Sequence, residues 1–141
     1  MSSCLVSSDK SEGEITDLID KWHGLAADAD STYFTLMTDS AVFIGTDKTE
    51  VWPKNEFMDF ALPLFAKGKG WSFKVLNRNI YNKGEVYWFD EQLDTWMGIC
   101  QASGVVLKEN GSWKIEHYQL SVTIDNDLMD EFKALNKVVS K

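Results

Sequence analysis

The sequence predicts an α+β domain in which N-terminal helices pack on a curved antiparallel β-sheet. Two observations carry this. Up to about residue 66, apolar residues recur at three- and four-residue steps, the mark of helices with one buried stripe. After Gly70 the period changes to two, and the strands it implies are separated by the turn signals NKG (82–84) and KENG (108–111). Helices gathered on one side of an antiparallel sheet define the class, and a curved sheet closed by helices commonly leaves a cone-shaped cavity.

Taken in order, residues 1–12 are Ser-rich and polar and read as a disordered tail. Residues 13–141 then form a single domain. Ile15, Leu18, Ile19, Trp22, Leu25 and Ala26 make the buried stripe of a first helix that closes near Asp28–Asp30. Asp30 or Ser31 caps a short second helix carrying Tyr33, Phe34, Leu36 and Met37. AVFIG (41–45) reads as a buried strand, TDKTE as a polar turn, and Val51–Trp52 as a brief returning strand. Pro53 suits the first turn of a third helix, whose stripe is Phe57, Phe60, Ala61, Leu64 and Phe65. Pro63 should weaken its last turn.

Four strands follow: WSFKVLNRNIY (71–81), EVYWFDE (85–91), ICQASGVVL (99–107) and SWKIEHYQLSVTI (112–124). QLDTWMG reads as a longer connection between the second and third of these. Counting outward from a turn at 82–84 pairs residue 78 with 88 and sets Asp90 opposite Leu76, within diagonal reach of Arg78. Leu128, Phe132 and Leu135 stand at helical spacing and predict a short C-terminal helix.

Composition narrows the function. The 141 residues include six Trp, eight Phe and four Tyr, an aromatic load that fits either a ring-rich core or a pocket. The formal net charge of −8 and the lack of a basic patch argue against a nucleic-acid partner. Cys4 and Cys100 stand far apart with no Cys/His spacing, so no metal site is expected. The sequence has no phosphate loop and no nucleophile elbow, so no cofactor is expected. The opening residues do not form a secretory leader, and no apolar run reaches the ~18 residues a membrane span needs. No membrane partner is expected, and a cytoplasmic location is the default.

The words DKWHGLAADAD (20–30), YFTLMTDSAVFIGTDKTEVWP (33–53), WFDEQLD (88–94) and SGVVLKENGSWKIEHYQLSVTI (103–124) resemble the nuclear transport factor 2-like superfamily, specifically its SnoaL-like branch. The resemblance covers roughly residues 14–126. It implies the cone-shaped fold and a homodimer formed through the outer face of the sheet. It does not fix an activity, since the superfamily holds isomerases, dehydratases, epoxide hydrolases and cyclases beside proteins that only bind or assemble. Several of the enzymes place an Asp, His or Tyr in an otherwise apolar cone.

Matched residue by residue, this points to His117, Asp90 and Tyr33 as candidate acid/base groups. Strict alternation along the last strand puts His117 with Trp113 and Ile115, the phase the resemblance turns inward. An inward His suits a base near neutral pH, or it is a core residue held by a backbone carbonyl. In VYWFDE (86–91) alternation separates the two acids. Asp90 shares a face with Val86 and Trp88 and is expected inward, and Glu91 shares one with Tyr87 and Phe89 and is expected at the strand end or dimer face. Tyr33 lines the cone or fills the core.

Trp52, Trp71, Trp88, Arg78 and His23 are candidate ligand-binding residues; the alternative is core packing for Trp52, Trp71 and His23, and a place on the exposed or dimer face for Arg78. Asp47 and Glu50 read as turn residues over the mouth of the cone. The expected function is the binding of a small hydrophobic molecule in an apolar pocket. A cofactor-independent lyase, isomerase or hydrolase is the alternative. A pure assembly module would instead show a filled cone and an apolar outer face built from Tyr118, Leu120 and Val122.

Overall fold

A computed structural model describes residues 2–136, with side chains from Lys10 onward. Helix α1 runs Ser2–Ala27, and its first fully inward side chain is Ile15. The tail expected as disordered over residues 1–12 is helical from Ser2 onward, and the side chains of residues 1–9, Cys4 included, lie outside the described residues. Ile15, Ile19, Trp22 and Ala26 are all buried, so the stripe read from the sequence is the packed face. The second helix is a 3₁₀ turn, Ser31–Leu36, capped by the Asp30 carboxylate accepting from the Thr32 N–H at 2.9 Å. Helix α2 spans Lys54–Ala66 with Pro53 just before it and buries Phe57, Ala61 and Phe65. A short α3, Met129–Leu135, closes the described chain.

The sheet has six strands: β1 (Met37–Ile44), β2 (Val51–Pro53), β3 (Lys74–Lys83), β4 (Val86–Thr95), β5 (Gly98–Glu109) and β6 (Ser112–Val122), in the spatial order β2-β1-β6-β5-β4-β3. All neighbours are antiparallel except β1 and β6, which run parallel and join the N-terminal β unit to the later meander. The cone is thus one mixed sheet wrapped around α1 and α2.

Three local departures from the sequence reading matter for the site. The β3–β4 turn is Gly84–Glu85, with Gly84 at φ 59°, so Lys83 pairs with Val86 and Arg78 lies directly opposite Glu91. The turn is tighter, and three residues further round in pair sum, than a loop centred on 82–84. QLDTWMG is not a long connection. β4 runs on through it, and a two-residue turn, Trp96–Met97, returns at Gly98 (φ 102°).

The third departure is a bulge in β6. Val105 pairs with His117 but Val106 pairs with Ile115, leaving Glu116 as an extra residue. β1 is irregular at the same level, between Met37 and Val42. The two irregularities are tied together, since the Glu116 carboxylate accepts from Thr38 Oγ1 at 2.6 Å and Ser40 Oγ at 3.1 Å. One added residue reverses every later side chain. Ile115, Tyr118 and Leu120 therefore point inward, while His117, Gln119 and Ser121 point outward.

The inner layer is dominated by rings. Trp22 stacks on Tyr33 at 4.7 Å between centroids and meets Tyr118 edge-on at 4.9 Å, and Phe43 stacks on Phe57 at 4.3 Å. Such pairs add about 0.5–1.5 kcal/mol each beyond the burial of their area. Gly70 lets the loop before β3 meet the end of α1, because a Cβ there would stand 1.9 Å from the Ala26 carbonyl oxygen. The Trp71 N–H donates to that same oxygen at 3.3 Å, which pins the Trp71 ring between helix and sheet.

Candidate functional site

Two features compete for the description of a site: a polar cluster inside the cone and an aromatic cleft at its mouth. The cluster is built on Glu91. Its strand neighbours on the same face are Tyr87, Phe89 and Leu93, all buried, so the alternation of β4 carries a carboxylate into an apolar layer. Glu91 is 3% exposed. Its Oε2 accepts from Tyr118 OH and His23 Nε2, both at 2.7 Å, and its Oε1 accepts from Arg78 Nε at 2.8 Å. Arg78 Nη1 continues to Asp20 at 2.8 Å. The elements β4, β6 and β3 thus each supply one group, and α1 supplies two, His23 and Asp20.

The electrostatics follow from that geometry. Burial pushes the Glu91 carboxyl up, but the His23 hydrogen bond and the charges of His23 and Arg78 outweigh it and hold the group below the usual carboxylate range. Burial, reinforced by the neighbouring Glu91 charge, pushes the Tyr118 phenol well above its ordinary value. Glu91 is therefore an anion that accepts, and His23 Nε2 and Tyr118 OH donate to it. Arg78 Nη2 is buried without a partner.

The cleft lies beside this cluster and is not lined by His23, Glu91 or Tyr118. It has a volume of about 170 Å³, between β1, the β1–β2 turn, α2, the start of β3 and the Trp96–Met97 turn. Trp52, Phe60, Trp71, Phe73, Trp96 and Leu120 form much of its wall. Its one charged lining group is Glu50, whose Oε1 accepts from the Asp47 N–H at 3.1 Å. Phe73 and Phe43 lie between cleft and cluster: both line the first, Phe73 meets His23 edge-on at 5.6 Å and Phe43 stacks on Tyr118 at 5.7 Å.

The candidate residues are dispersed by these findings. His117 stands on the outer face, half-buried between Val42 and Val105, because the Glu116 bulge reverses its phase. Asp90 is outward too, bound to Asn79 Nδ2 at 2.9 Å and Tyr81 OH at 2.7 Å, and the inward place expected of Asp90 is taken by Glu91, which was expected at the strand end or dimer face. Trp88 stacks on Tyr81 on that outer face, 5.8 Å between centroids, away from the cleft. Tyr33 is buried in the core behind Trp71, and burial pushes its phenol well up. Trp52 and Trp71 line the cleft. Arg78 and His23 are both inward, held by Glu91.

Glu91 was within reach of sequence reasoning, since its face of β4 is the apolar one. Glu50 was visible only as a turn residue. Among the described residues no group of His, Cys, Asp and Glu is placed to hold a metal ion. No helix of the described residues is long and apolar enough to cross a membrane.

Comparison with known proteins assigns the family. A family model described as SnoaL-like domain matches residues 15–125, most of the chain. The chain belongs to the SnoaL-like family. Solved structures agree at the level of fold. A nuclear transport factor 2-like protein of unknown function from Pseudomonas putida superposes with a TM-score of 0.70 at 16% identity, covering 84% of this chain and 91% of that one. A putative dehydratase of the same superfamily from Streptomyces avermitilis gives 0.71 at 12% identity, covering 83% and 99%. A protein of unknown function from Mycobacterium tuberculosis gives 0.69 at 14%, covering 87% and 78%. No curated protein sequence matches. At these identities the SnoaL-like chain shares a fold with these proteins, and activity is a separate question.

Proposed function

We propose that this SnoaL-like domain binds a small hydrophobic molecule in the aromatic cleft. The observation that carries the reading is the division of labour just described. Glu91, His23, Arg78 and Tyr118 bond to one another in the interior, and the cleft beside them is mostly apolar. Its volume of about 170 Å³ sets the ligand size. An apolar cavity of roughly 150 Å³ accepts benzene, so the ligand is on the order of one six-membered ring. Toluene titrated into the protein should shift the NMR methyl signals of Met97 and Leu120 saturably. Thr46→Trp, at the exposed rim, should remove the response. Shifts that persist unchanged in that variant would sink the reading.

The second reading is a cofactor-independent lyase, isomerase or hydrolase. The His23–Glu91 pair favours it, a hydrogen-bonded acid and base 2.7 Å apart with one ring between them and the cleft. It requires Phe73 to move aside. The chain holds only two histidines, His23 and His117, so acylation by diethyl pyrocarbonate followed by mass spectrometry separates the readings. Modification of His117 alone supports a sealed cluster. Modification of both at similar rates supports the enzyme.

A homodimer through the outer sheet face is proposed as well. Tyr118 and Leu120 point inward, so the apolar part of that face is Tyr81, Val86 and Trp88. Trp88→Glu should convert a dimer to monomer in light scattering, and a wild-type monomer at ~100 μM would remove the proposal.

A further inference from the structure

The cleft carries one feature that a purely hydrophobic ligand leaves unused. Seven of its lining residues are aromatic, and its single charged side chain is a carboxylate, Glu50. No Lys, Arg or His lines it. Among the described residues Glu50 has no ion-pair partner. Lys48, in the same turn, lines the groove beside β6 and α3 and does not line the cleft.

Glu50 is also held in place. Its backbone N–H donates to the Asp47 carbonyl at 2.9 Å and its Oε1 accepts from the Asp47 N–H, so the turn closes on its own last residue. Gly45 makes room for the carboxylate: a Cβ there would stand 2.5 Å from Oε1. Ring faces carry negative potential and attract cations, by about 0.5–1 kcal/mol per contact where exposed and ~2 or more where water is excluded. A fixed carboxylate at the rim adds a point charge of the same sign, and the chain as a whole carries −8.

Resting on the binding reading above, we propose that the cleft selects a small organic cation, an ammonium-bearing molecule about the size of one six-membered ring. The apolar part of the ligand fills the space between Trp71, Phe73 and Leu120. The cationic head lies against the Trp52, Phe60 and Trp96 side, next to Glu50. The Glu50 carboxylate sets charge selectivity, and Gly45 positions it.

The test uses two probes of nearly equal shape that differ in charge, choline and 3,3-dimethylbutan-1-ol, titrated calorimetrically at low ionic strength into the full chain. Choline should bind about tenfold more tightly than the neutral alcohol. Glu50→Gln keeps an acceptor for the Asp47 N–H and removes only the charge. It should cut that preference to roughly threefold, the residue left to the rings, with the alcohol's affinity unchanged within about twofold. Gly45→Ala should reproduce the Glu50→Gln pattern by pushing the carboxylate aside.

Equal affinities for the two probes in the wild type overturn the cation assignment and leave the apolar cleft standing. A choline preference that survives Glu50→Gln intact overturns the role of Glu50. No binding of either probe at ~10 mM overturns both this inference and the binding reading on which it rests.

Discussion

Asp90 and Glu91 are adjacent in sequence and have the same charge, yet the pleat sends them into opposite environments. Asp90 lies on the outer face of β4, where Asn79 and Tyr81 reach it from the neighbouring strand. Glu91 lies on the inner face, where a His, an Arg and a Tyr from three different elements converge on its two oxygens. The same chemical group is a surface hydrogen-bond acceptor in one place and the organising charge of the interior in the other. A carboxylate without partners inside would cost several kcal/mol. The inner face is tolerable to Glu91 only because Arg78 sits directly opposite in the register and α1 brings His23 down from the other layer.

The sharpest way to break that contrast is to remove each acid in turn. Glu91→Ala strands Arg78 and His23 in the interior and leaves the Tyr118 hydroxyl without an acceptor, so it should cost about 3–5 kcal/mol, measured by urea unfolding. A loss below about 1 kcal/mol would mean that water enters the cluster. Glu116→Ala should come second. It deprives the buried Thr38 hydroxyl of its acceptor and loosens the bulge that sets the β6 phase, at about 1–3 kcal/mol. If the bulge is held by this contact, the variant's amide exchange should rise around Thr38–Ala41 and Ile115–Tyr118 and nowhere else in the sheet.

That bulge also marks where sequence reading stops. Periodicity located α1, α2 and the four later strands, because helix stripes and strand alternation are local properties of the chain. The face of β4 was legible too: Tyr87, Phe89 and Leu93 flank Glu91, and apolar neighbours two residues apart identify the inward side. The expectation that Asp90 is inward passed over that row.

The register of Arg78 was one turn assignment away, since placing the turn at Gly84–Glu85 brings Arg78 to Glu91. His117 was not legible. Its orientation depends on an extra residue in β6 that is held by hydroxyls of Thr38 and Ser40, far away in sequence, and no local pattern announces such a contact. The cleft was half-legible. Trp52 and Trp71 line it, whereas Glu50 and Trp96 enter it through turns whose conformations only the folded sheet defines.

Acid gives a further test of Glu91. Glu91 is held below its unfolded value of 4.5. The stability it contributes is therefore fully present above about pH 4.5 and is lost as pH falls through its lower folded value. Between pH 6 and pH 3 the urea midpoint of the wild type should fall more steeply than that of Glu91→Gln, which has no charge to neutralise. Parallel acid limbs would show that Glu91 does not drive acid unfolding.

The smallest expected effect belongs to Asp90. Asp90→Asn removes a charge that the outer face does not depend on, so stability should change by no more than about 0.5 kcal/mol. What should move is Tyr81, whose phenol is raised by its hydrogen bond to Asp90. The raised value means that the Tyr81–Asp90 contact is intact at neutral pH and is lost as alkaline pH ionises the ring. In Asp90→Asn the Tyr81 titration, followed by NMR of its ring carbons, should shift down toward that of an ordinary tyrosine while Tyr118 stays raised by its burial and by Glu91. A joint downward shift of both tyrosines would mean that the two carboxylates share one electrostatic field, and that the sheet does not insulate its faces from each other.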